Sequence, residues 1–143
     1  MISTEAVFAA LFTKLEAVSN WTTVSRRLAS AQDLQPEAFP AAYQVEDKPS
    51  FKFTPNAPSI VTLRAYWLMY VYESDKTQPL STPLNLLIDA ARVALSPPPG
   101  SVNQTLGGLV EFAAIQGDGS IVDGALTDRA IVVLPIAIVM PGF

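Results

Sequence analysis

Histidine and cysteine are both absent from this chain. The groups whose types or spacing could then suggest chemistry are carboxylates, arginines, glycine-rich turns and aromatic rings. The commonest general base and metal ligand is missing with histidine. With cysteine go the thiolate nucleophile, the thiolate metal site and the disulfide. The 13 carboxylates offer acid–base chemistry, but their spacing singles out no pair. Asp118 lies in a glycine-rich segment, Gly117-Asp118-Gly119-Ser120, and Asp123 follows it. A calcium loop needs oxygen ligands at alternate positions and a terminal glutamate, so hairpin turns at Asp118-Gly119 and Asp123-Gly124 are the favoured reading. Leu106-Gly107-Gly108-Leu109 has the glycines of a phosphate cradle. It lacks the following Lys-Ser/Thr, and the next segment reads as a strand, not a helix whose N-terminus would hold phosphate.

Two further groups have the composition of binding surfaces. Arg26-Arg27 suits an acidic partner or a phosphate, although a solvated pair of exposed charges is the favoured reading. Tyr66, Trp67, Tyr70 and Tyr72 resemble a base-stacking platform, but only Arg64 supplies a cation among them. Core or subunit packing is expected instead. No nucleophile elbow, zincin helix, dinucleotide fingerprint or kinase motif set occurs. Neither catalysis nor a cofactor or metal is expected.

The composition points the same way. The 143 residues form one expected domain over 1–143. Half the residues are hydrophobic and only 15% are charged, against about 25% in ordinary soluble domains. Burial of surface in an assembly is one remedy for so little charge. A net charge of −4 disfavours nucleic acid and anionic membrane surfaces as partners. The longest apolar run, residues 130–140, falls well short of the ~20 residues of a membrane span. Residues 1–5 lack the basic stretch of a secretory leader, so a cytosolic chain is expected.

The elements that would position these groups read as α+β. Ser3 caps a helix over residues 4–18, with Val7, Phe8, Leu11, Leu15 and Val18 on one stripe. A short strand is expected over residues 22–28. From residue 39 to 53 apolar side chains alternate, with a break near Asp47 and Pro49. A turn at residues 54–58 leads to a strand over 59–73, completing a hairpin. Fifteen residues at ~3.3 Å each give about 50 Å, so this strand must bend, bulge or project. Thr82 and Pro83 suit the cap and first position of a second helix running to Leu95. Strands follow over residues 109–116 and 129–140. The last is apolar on both faces but contains Pro135, which suggests an edge or bulge. A neighbouring subunit over that edge would reconcile the two signals. The expected fold is a mainly antiparallel sheet with two helices on one face and a long hairpin.

Several segments taken together resemble a known family. They are Val24-Ser25-Arg26-Arg27-Leu28, Phe39-Pro40-Ala41-Ala42-Tyr43 and the break Ser96-Pro97-Pro98-Pro99-Gly100. Gln104-Thr105-Leu106-Gly107-Gly108-Leu109-Val110, the segment from Gly119 to Leu126, and Ala130-Ile131-Val132-Val133-Leu134-Pro135-Ile136 complete the pattern. Across roughly residues 20–140 the chain resembles the tail terminator, or tail completion, proteins of long-tailed bacteriophages and prophages. The resemblance implies a homohexameric ring in the virion tail, assembled in the host cytoplasm. That ring would cap the tail tube, end its polymerisation and join the head, with the tube protein and a head completion or connector protein as partners. It implies no catalytic residue, cofactor or sequence-specific contact with nucleic acid. The alternative is an oligomeric ligand-binding domain or enzyme with a site between subunits. The residues expected at a subunit or partner interface are Arg26, Arg27, Arg64, Trp67, Arg129 and Pro135.

Overall fold

The computed structural model describes residues 2–126 and 128–140. In chain order its elements are α1 (Thr4–Glu16), β1 (Thr23–Ser25), a 3-10 turn (Pro36–Ala38), β2 (Ala41–Glu46), β3 (Ser50–Lys52) and β4 (Ile60–Tyr72). These are followed by α2 (Ser81–Ala94), β5 (Phe112–Ile115), β6 (Ser120–Leu126) and β7 (Arg129–Met140). This is the expected α+β class, a mainly antiparallel sheet with two helices.

β4 and β7 pair antiparallel without a break from Val61↔Met140 to Tyr72↔Arg129. The great length of β4 is thus met by an equally long partner, and the expected bend or bulge is absent from this ladder. Outside each long strand lies an interrupted one. β2 and then β3 run along β4; β5 and then β6 run along β7. β1 adds to β2 as the single parallel pair among the described strands.

Alternation explains the layering. Val61, Leu63, Ala65, Trp67, Met69 and Val71 of β4 are buried on one face, with Ala130, Val132, Leu134, Ile136, Ile138 and Met140 of β7 beside them. Both helices cover that face, α1 through Val7, Phe8, Leu11 and Leu15, and α2 through Leu84, Leu87 and Ala91. Each large apolar side chain so buried contributes about 1.5–3 kcal/mol. A smaller cluster of Ala31, Ala41, Tyr43 and Tyr70 lies apart from this core. The segment before β2 folds over it.

Local signals were partly displaced. Ser3 caps α1 by accepting from the Ala6 amide at 3.0 Å, but the helix ends at Glu16. α2 starts at Ser81, one residue before the expected cap, without a side-chain cap. Pro83 still costs no hydrogen bond, because the first-turn amides have no intrahelical acceptor. Buried Leu80 anchors this start. Asp123-Gly124 lies within β6, not in a separate turn; the Asp123 side chain falls outside the described residues.

β7 is interior to the sheet, which corrects the expected edge. Pro135 is tolerated because its open side faces the break between β5 and β6. Its carbonyl accepts from the Gln116 amide at 3.0 Å. In an antiparallel strand a residue's N and C=O point to the same neighbour. The missing N–H therefore faces the 116–119 connection, where no ladder partner waits. The break is resolved within one chain, without a neighbouring subunit.

One polar side chain crosses the core. Gln44 is buried; its Nε2 donates to the Phe8 carbonyl of α1 at 2.9 Å, and its Oε1 accepts from Trp67 Nε1 at 3.1 Å. A buried indole N–H left without an acceptor costs about 1–3 kcal/mol. Gln44→Leu is therefore expected to lower the unfolding free energy by about that amount in urea titration. Trp67→Asp is expected to leave the chain unfolded by circular dichroism, because it places a carboxylate inside the apolar layer.

Candidate assembly surface

The six residues expected at an interface do not form one patch. Trp67 is 0% exposed and belongs to the chain's own core, so the expected interface role does not fit its side chain. Its indole is held by Gln44, which the sequence pattern did not connect to it.

Arg26 is bound within the chain. Its Nη2 lies 2.7 Å from Glu5 Oε1 and 3.0 Å from Glu46 Oε1. It ties the start of α1 to the end of β2, and solvent screening keeps the contribution small. The Arg26 hydrogen bond holds the Glu5 carboxyl below its ordinary range. This contribution is present near neutrality and is lost as pH falls through the lowered pKa. Arg27, by contrast, is exposed.

Arg129 is also largely engaged. Its guanidinium donates to the Ala31 carbonyl and lies over the rings of Phe39 and Tyr72, at 5.2 and 5.9 Å from their centres. It clamps the segment before β2 against the sheet by charge and ring face together. Arg64 and Pro135 share the sheet face opposite the helices: Arg64 pairs with Ala137 and Pro135 with Tyr66. Arg64 is exposed there, and Pro135 is half-buried.

Two strongly exposed phenylalanines lie on an arm. Every residue from 46 to 58 is exposed, and Phe51 and Phe53 are 75% and 77% exposed. The sequence pattern placed these phenylalanines on one alternating face with Tyr43. The break at Asp47–Pro49 separates them. Glu46 to Ser50 takes four chain steps, whereas the facing residues Ala65 to Thr62 take three. The extra residue reverses the parity of the strand. Phe51 pairs with Val61 and so lies on the helix-side face, beyond the helices. The proline in Lys48-Pro49 is the sequence signal for this reversal.

Among the described residues no built chemical site appears on the surface. An open groove of about 560 Å³ runs between the ends of the two helices, lined by Lys14, Val18, Val93, Pro97 and Pro98 among others. Lys14 is its one charged lining group. The Gln104 amide at its edge is already committed, donating to the Ser96 carbonyl at 2.9 Å and accepting from the Leu106 amide at 3.1 Å. Among the described residues no cluster of three acidic side chains is arranged to hold a metal ion. Among the described residues no helix is long and apolar enough to cross a membrane. No protein-family model and no curated protein matches the chain.

Two outcomes follow from this surface. Trypsin is expected to cut the unassembled chain first after Lys52 in the exposed arm, with α2 surviving; mass spectrometry of the first fragments at low protein concentration checks this. On the opposite face, the Tyr70 hydroxyl donates to the Ala29 carbonyl at 3.0 Å. Burial, with Tyr43 adding to it, pushes its pKa up to about 12. The unfolded group ionises near ~10, so its stabilising effect is complete below that pH and fades as pH rises from there towards 12. Tyrosinate absorbance at alkaline pH should show a late phase that Tyr70→Phe removes.

Proposed function

We propose that this chain is a structural protein of a bacteriophage tail, a terminator that caps the tail tube and offers a second surface to the head. The observation that carries the reading is the exposed arm with Phe51 and Phe53 at its surface. A rigid helix-covered sheet presenting apolar side chains on an extended hairpin suits contact with other proteins better than chemistry on a small molecule. The low charge content and the segment-by-segment resemblance to tail terminators support it further.

The reading also has a physical logic. Tube subunits add by a repeating head-to-tail contact, and each new ring exposes a fresh copy of the same surface. A terminator ends growth by occupying that surface and presenting a different one. Occupation is sufficient, and no bond need be made or broken. Arg64 and Pro135 on the open sheet face, with exposed Arg27 at the far edge, are the proposed partner-facing residues. Trp67 is removed from that set, and Arg129 acts by holding the fold.

The proposal predicts the phenotype of a gene deletion in the parent phage or prophage. Electron microscopy should find filled heads without joined tails, together with tubes of uncontrolled length. Purified protein added while tubes grow should restore discrete lengths. Normal-length tails joined to heads after deletion would contradict the assignment.

A further inference from the structure

Among the described strands β1, β3, β5 and β6 each pair on one side only, and β3 and β6 lie at diagonally opposite corners of the sheet. β3 pairs only with β4, and β6 pairs only with β7. Phe51 of β3 faces Val61 at the start of β4. Ile121 of β6 faces Val132, which in turn faces Met69 near the end of β4. Eight residues of β4 separate these two levels, about 26 Å at ~3.3 Å each. The edges therefore cannot satisfy one another within one chain.

They do match one another across two chains. Strand direction alternates from β3 through β4 and β7 to β6. A second copy added in the plane of the sheet in the same orientation brings its β3 antiparallel to β6. The faces agree as well: Phe51 shares its face with Val61, and Ile121 shares its face with Val132, both helix-side residues. In a continuous sheet the two exposed side chains fall on one face and cover each other. Ile121 is 54% exposed in the single chain. With Phe51 opposite Ile121, Lys52 stands opposite Ser120 and diagonal to Asp118, within reach for an ion pair. Lys52 and Asp118 are exposed, and neither joins a salt bridge among the described residues.

We infer that copies of this chain associate head to tail by antiparallel pairing of β3 in one copy with β6 in the next, Phe51 packing on Ile121 and Lys52 pairing with Asp118. The inference deepens the proposed function by naming the contact through which its ring would close, and it rests on that reading only for the ring. Because the two edges differ, the contact is heterologous. It closes into a ring when the rotation per copy allows and otherwise continues as a filament. The diagonal offset requires strands inclined to the ring axis, as they are in closed barrels.

The absence of cysteine gives a clean test. Phe51→Cys and Ile121→Cys change exposed side chains, and a short bismaleimide links only thiols brought together. An equal mixture of the two single variants should give a cross-linked dimer, the double variant a ladder of higher species, and each single variant alone no product. Lys52→Glu in the double variant should lower the yield several-fold, and Asp118→Lys added to it should restore the yield. Linkage of Phe51→Cys to itself would overturn the inference by showing a symmetric contact. So would monomers by light scattering at millimolar protein without any ladder. Rings without a 51–121 link would overturn the edge pairing while leaving the terminator reading in place. A ladder from a chain whose gene deletion leaves tails normal would do the reverse.

Discussion

The fold depends on the unbroken ladder between β4 and β7. Two strands of matched length, each alternating large apolar residues on one face, fix a long rigid rib. Every other element attaches to that rib or to a strand beside it. A slip of one residue would turn one strand's inward set, Trp67 and Met69 or Ile136 and Ile138, away from the helices, so the register is held by the whole buried face. Gln44 adds a directional constraint that apolar packing lacks. It joins α1, β2 and β4 through two hydrogen bonds in the core, and a buried polar group satisfied in one arrangement is costly in any other.

The rib is continuous, and its neighbours are not. Both flanking strands break, β2–β3 at Asp47–Pro49 and β5–β6 opposite Pro135. The first break contains one extra residue, which reverses side-chain parity and places Phe51 on the helix-side face past the cover of the helices. At the second break, five chain steps from Ile115 to Ser120 face three from Ile136 to Val133, which preserves parity. Irregularity is thus confined to the outer strands, where it exposes short edges without disturbing the core. A protein that must meet copies of itself needs such edges, and one that must not aggregate needs them short and charged. Lys48 before β3, Lys52 at its end and Asp118 before β6 fit that requirement.

Much of the fold was legible because periodicity is a local property. The α1 stripe, the buried positions of α2, the break at Asp47–Pro49 and the α+β class follow from spacing alone. The pairing partners are set by distant residues. Nothing near residue 135 reveals that β5 and β6 leave a gap beside it, so Pro135 read as an edge signal. Trp67 read as a contact residue because aromatic content is the same in cores and interfaces; only the placement of Gln44 across from it decides. Phe51 and Phe53 read as sharing a face with Tyr43 because alternation cannot register a one-residue bulge until the facing strand is known. Arg26 and Arg129 carried no mark that their partners were already within the chain. The helix-end groove, likewise, brings together residues 14–18 and 93–104, which no local pattern links.

In the proposed role the chain works by occupying surfaces as an assembled ring. Electron microscopy of the purified protein, alone and added to tail tubes, tests it most directly. Closed rings with an open channel, built from six copies and seated at one end of the tube, are expected. Particles that never close around a channel and never bind a tube end would contradict it.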